Sequence, residues 1–188
     1  MMKPTVLLVL AVFVAPVARA QSPALVPPHS PARASAAAAL DDPTIVAIFD
    51  AANSWDMETS QLALAKSGTK DVREFAAMMV RDHKAVRQLG RDLARKLAVT
   101  PTPPGKDFAL ALDHESAMKT LRHTKGAAFD KAYIDHEVWY HQAVIDAVTS
   151  QLLPATKNAE LRALEEKVAP NFVAHLAAAK DVQRKLPK

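Results

Sequence analysis

His83, His141 and His175, together with Glu58 and Glu137, are the residues of this chain whose types and spacing can do chemistry. Each falls on, or one step from, a run of apolar side chains repeating every three or four residues. A polar group buried on such a stripe without a partner costs about 1–3 kcal/mol. Glu137 and His141 are four apart and so share one helix face. Imidazole and carboxylate suit a single transition metal such as Zn, Fe, Mn or Cu(II), and an added Met79 thioether favours copper in its softer state. Met79 and Tyr133 are the auxiliary candidates, with Asn171 also placed inward. A second reading stays open beside the metal: a hydrogen-bonded polar core running from His to Glu to Tyr133.

The other candidates carry less. His29, His114 and His123 read as solvated, and His136 lies about 100° around the helix from Glu137. Met57, Met78 and Met79 at helical spacing read as core filler. No Ser-His-Asp pattern occurs, and four Gly in the chain leave no phosphate-cradling loop. No nucleophile or acid–base pair stands out beyond the cluster, which argues against an enzyme.

Four long amphipathic helices must position these groups. Asp42-Pro43 starts the first, an N-cap acid followed by proline, and Ile45, Ile48, Ala52, Trp55, Thr59 and Leu62 form its stripe. Ser67-Gly68 ends it, and Thr69 begins a second helix carrying Val72, Phe75, Met79, His83, Val86, Leu93 and Leu97. So short a turn forces an antiparallel hairpin. Pro101, Pro103, Pro104 and Gly105 follow, then a weaker helical segment over 107–123. The third long helix spans Ala127 to Leu153, stopped by Pro154. The fourth spans Asn158 to about Arg184, with a kink expected at Pro170, which lacks a backbone donor.

Two hairpins joined by a long crossover containing a short helix describe an all-α, ferritin-like four-helix bundle. Heights measured from the Ser67–Lys70 turn at about 1.5 Å per residue place all five candidates within roughly 9 Å if the third helix starts at that end, and within roughly 16 Å if it starts at the other. Convergence therefore favours a crossover spanning the bundle.

The N-terminus predicts export. Lys3, the apolar run Val6–Val14 and the small-x-small triplet Ala18-Arg19-Ala20 read as a cleaved signal peptide over 1–20. The run is short for a membrane span, which needs about 20 residues, and no other candidate span occurs. Residues 21–41, rich in Pro, Ala and Ser, read as a flexible tether, leaving 42–186 as the bundle. The absence of Cys excludes a lipid anchor on an N-terminal Cys, disulfides and thiolate ligands. Cleavage would remove Lys3 and Arg19 and no acid, so the formal charge of +4 overstates the excess of base. Interleaved charges without a basic stripe or stacking aromatics argue against nucleic acid. A periplasmic or otherwise exported protein follows, with an envelope protein as the alternative class of partner and a stress or interaction module as the alternative role.

Several of these residues also resemble a family pattern. Phe75-Ala76-Ala77-Met78-Met79-Val80-Arg81-Asp82-His83 is similar to a helix-2 motif, Phe129-Asp130, Tyr133 and His141 to a helix-3 pattern, Pro170 with His175 to a helix-4 pattern, and Glu58 with Ala65-Lys66 to helix 1. Over about residues 43–185 the chain resembles the bacterial predicted periplasmic or outer-membrane proteins of domain of unknown function family 4142. That resemblance implies a ferritin-like fold and export, and brings no function. Di-iron bundle proteins carry Glu-x-x-His on two helices. Here the residues three before His83, His141 and His175 are Val80, Val138 and Phe172, which argues against a di-iron centre.

Overall fold

Asp41 and Asp42 start and anchor the first helix. Asp41 is the N-cap, its Oδ1 accepting the Thr44 amide at 2.9 Å, with Pro43 in the first turn. Asp42, expected as the cap, is instead the first helical residue. Its carboxylate accepts the Lys157 and Asn158 amides at 2.8 and 2.9 Å, tying the start of the first helix to the start of the last.

The computed structural model describes residues 40–105 and 108–187. The expected signal peptide, and all of the expected tether except Leu40 and Asp41, lie outside the described residues. Among the described residues every regular element is helical: α1 (Asp42–Lys66), α2 (Lys70–Lys96), α3 (Ala109–His123), α4 (Gly126–Ala147), α5 (Leu153–Ala155) and α6 (Ala159–Lys185). None of these helices is long and apolar enough to cross a membrane.

The helix expected to stop at Pro154 stays helical to Ala155, and α4 is its regular first stretch. A π-helical turn, Val148–Leu152, follows it, with the Leu153 amide reaching the Val148 carbonyl. The wide turn lies just before Pro154, which has no N–H to continue a regular α ladder. Pro170 lies within α6, which continues unbroken from Ala159 to Lys185.

α1 packs against α2 and α4, α6 packs against the same two helices, and α3 lies on α1 and α4. The interior has two apolar clusters. One gathers Ile45, Phe49, Val86, Val144, Leu161 and Phe172; the other gathers Ala63, Phe75, Met79, Phe129, Tyr133 and Val182. α1 and α6 run from the first cluster to the second, while α2 and α4 run the opposite way. α4 therefore starts at the end where α1 turns into α2.

Each of these four helices is apolar, then polar, then apolar along its buried face. On α1 the polar stretch is Asn53, Asp56, Thr59 and Ser60, between Phe49 and Ala63. His83 interrupts α2, Glu137 and His141 interrupt α4, and His175 interrupts α6. A polar layer thus crosses the bundle between the two apolar clusters.

Candidate metal centre

The three imidazoles of this layer pack on one another. Ring centroids are 5.6 Å apart for His83–His141, 5.1 Å for His83–His175 and 5.4 Å for His141–His175. One nitrogen of each ring is already engaged. His83 Nδ1 lies 2.9 Å from Asn53 Oδ1, and the Asn53 amide nitrogen donates to the Phe49 carbonyl at 2.7 Å. His141 Nδ1 lies 3.0 Å from the Glu137 carbonyl, and His175 Nε2 lies 3.2 Å from Asp82 Oδ2. All three partners are acceptors, so the engaged nitrogens carry the protons. The opposite nitrogens, His83 Nε2, His141 Nε2 and His175 Nδ1, present lone pairs and have no hydrogen-bond partner.

Two carboxylates face them. Asp56 Oδ2 is 3.4 Å from His83 Nε2 and 3.5 Å from His141 Nε2, and Glu137 Oε2 is 3.6 Å from His141 Nδ1. Both oxygens are buried without a hydrogen-bond partner. The other oxygens are held: Glu137 Oε1 accepts Thr59 Oγ1 at 3.0 Å, and Asp56 Oδ1 lies 3.5 Å from Ser60 Oγ. Ser60 also bonds the Tyr133 hydroxyl at 2.9 Å. Donor atoms of His83, His141 and His175 all lie within 4.8 Å of one another, as do those of Asp56, Glu137 and His141.

Burial sets the electrostatics. It pushes the His83 imidazole well below its usual range and His141 down to about 3, and lowers His175 despite the opposing pull of Asp82. Asp56 and Glu137 both move up, driven first by loss of water, with the Asp56 charge adding to the shift of Glu137. The layer is three neutral imidazoles around a carboxyl pair that cannot ionise cheaply by itself. A divalent cation reverses that balance, because it needs neutral imidazole and ionised carboxylate. The Asp56–imidazole spacings resemble the roughly 3.3 Å between two donors that each lie about 2.0–2.1 Å from one tetrahedral ion.

The sequence places four of these five groups. Glu58 is the exception, since it is exposed and its carboxylate lies 3.1 Å from His114 Nε2. Two residues along a helix is about 200° of rotation, so Glu58 and Asp56 face opposite ways, and Asp56 is the carboxylate α1 brings inward. Met79 packs in the second apolar cluster, Tyr133 reaches the layer through Ser60, and Asn171 is exposed rather than inward. His114, expected in solvent, is buried and stacked on Trp55 at 5.6 Å. Asn53, Asp56 and Asp82 are the residues that sequence reasoning passed over. For the first two a signal existed, because Asn53, Asp56 and Ser60 recur at helical spacing.

No curated protein and no solved structure matches the chain. Residues 27–182, most of its length, match the family model described as Domain of unknown function (DUF4142), and the chain belongs to that family.

Proposed function

We propose that this protein is a metal-binding helical bundle whose single transition metal is held by His83, His141, His175 and Asp56, with Glu137 as the fifth donor. One observation carries the reading. Five buried, unpartnered polar atoms from four helices fall in two overlapping groups, His83–His141–His175 and Asp56–Glu137–His141, and each imidazole has its other nitrogen fixed by an acceptor. Orienting partners of this kind are what metal-ligating histidines carry. The donor set, three nitrogens and carboxylate oxygens without thiolate, suits Zn, Fe, Mn or Cu(II).

A metal-free hydrogen-bonded core is the competing reading, favoured by the raised carboxyl pKa values. A proton held between Asp56 and Glu137 would serve the carboxyl pair, and a proton on Asp56 Oδ2 could reach His83 Nε2 or His141 Nε2 but not both. The remaining imidazole lone pairs would stay without a donor, and 3.4–3.5 Å is long for an O–H donor, whose contacts cluster at about 2.7–2.8 Å.

The signal-like N-terminus supports a periplasmic or otherwise exported location. The opposed directions of the helices support a ferritin-like plan with α3 as the crossover. The role in this reading is to bind or buffer metal rather than to catalyse. Elemental analysis of the untagged full chain, purified without chelator, tests it. The expected result is one equivalent of a single transition metal retained through gel filtration. Metal-free protein with a melting temperature indifferent to added Zn, Cu, Fe and Mn would reduce the layer to a structural core and favour the envelope interaction module.

A further inference from the structure

The five donors are unequally reachable. Asp56, His83, Glu137 and His141 are 0–2% exposed, whereas His175 is 5% exposed and forms part of the wall of an open groove between α2 and α6. The groove has a volume of about 420 Å³. A second groove, beside α1 and α2, is lined by none of the five donors.

His175 faces two ways. Its Nδ1 is the buried, unpartnered atom, and its Nε2 meets Asp82 at 3.2 Å. Asp82 lines the same groove and has a side chain 29% exposed. Its carboxylate is also held by Arg81, through Nε at 2.7 Å and Nη2 at 3.1 Å. Arg81 is itself 70% exposed, and ion pairs in water exchange at little cost. The carboxylate can therefore trade its guanidinium for an incoming cation. Lys167, on the opposite wall, carries like charge to that cation. Selectivity for a cation must then come from the carboxylate and imidazole rather than from the field of the groove.

Resting on the metal-centre reading above, we propose that a divalent cation enters and leaves the layer through the α2–α6 groove, taken up by Asp82 and passed inward by His175. His175 is the exchangeable ligand: rotation of its ring moves a nitrogen between groove and centre, while His83 and His141 stay fixed by Asn53 and by the backbone.

Exchange kinetics on the full chain test this, with Co²⁺ as the probe, its uptake followed by ligand-field absorption and its extraction driven by EDTA. Ala85 and Ala174 are exposed residues lining the groove, and Ala177 is exposed on α6 but does not line it. Ala85→Phe, and independently Ala174→Phe, should slow uptake and extraction together by tenfold or more and leave Kd within twofold. Ala177→Phe should change neither rate. Asp82→Asn keeps an acceptor for His175 but loses the charge, and should slow uptake at least fivefold. Wild-type exchange rates in both Phe variants, with helicity and Kd intact, would overturn the route alone. Failure of the wild-type chain to take up Co²⁺ would overturn the centre and the route with it.

Discussion

The Asn53 carboxamide fixes the tautomer of His83. Its Nδ2 donates to the Phe49 carbonyl one turn back, so its Oδ1 is the atom 2.9 Å from His83 Nδ1. The imidazole must donate there and keep a lone pair on Nε2, toward Asp56. Removing this partner leaves the ring free to present the wrong nitrogen. Asn53→Ala should lower metal affinity by about 10–100-fold, the usual effect of losing such an orienting group. Titration against a competing chelator measures it, and an affinity within twofold of wild type would show that His83 needs no orientation.

Asp56 and Glu58 make a matched pair for testing which α1 carboxylate serves the centre. Asp56→Asn should remove most of the metal affinity while preserving helicity, because it withdraws the oxygen nearest two imidazole nitrogens. Glu58→Gln keeps an acceptor for His114 and should leave metal content unchanged. The reverse pattern in elemental analysis of the two variants would return the role to Glu58.

These two residues also show what the sequence could reveal. α2, α4 and α6 disclose their members of the polar layer because each carries His or Glu among large apolar residues, and a helical period points all of them one way. α1 does not. Trp55 and Leu62 suggest a stripe, but both are only half-buried, and Trp55 packs on Phe108 and His114 rather than in the layer. At the level of the layer the buried face reads Asn53, Asp56, Thr59 and Ser60, of which the expected stripe holds only Thr59, and these are residue types that hydropathy assigns to solvent. A buried face made of polar side chains is invisible to a hydrophobic period. His114 was misplaced for a related reason: a crossover helix with a weak stripe gives no sign that it will lie against α1. Pro154 reads as a stop, whereas the chain widens into a π turn just before it and stays helical through it to Ala155.

Gly90 reports on how closely α1 and α2 approach. A Cβ built there would lie 2.7 Å from two carbons of the Phe49 ring, which is itself buried. Alanine at an ordinary helix-interior glycine stabilises by about 1 kcal/mol. Here the ring must shift, and overpacking of this kind costs about 1–3 kcal/mol. Gly90→Ala should therefore be neutral to destabilising, and Gly90→Ala with Phe49→Leu should recover part of the loss. Urea unfolding of the single and double variants decides it. A clear gain in stability for the single variant would mean that the helices can move apart.

The buried layer makes the pH dependence of the metal-free protein unusual. His141 has its folded pKa depressed to about 3 from an ordinary 6.5, so its contribution is complete above about 6.5 and is lost as pH falls toward 3. His83 and His175, also depressed, act in the same direction. Asp56 and Glu137 are raised, so their contribution is complete only below the ordinary carboxyl range and declines as pH rises toward their folded values. Unfolded histidines go on losing protons to about one unit above 6.5, so it is from about pH 7.5 to 8.5 that the buried carboxyls set the slope. The chelator-treated chain should accordingly lose stability across that interval. Bound metal pairs with the ionised carboxylates and should remove the decline, while its uptake at pH 7 releases protons from the carboxyl pair and not from the already neutral imidazoles. Melting temperatures at several pH values, with and without Zn²⁺, test the first point, and calorimetry in buffers of different ionisation enthalpy tests the second. A metal-free chain whose stability rises from about pH 7.5 to 8.5 would mean that the carboxyl pair is ionised in the folded protein, and that something other than a metal neutralises it.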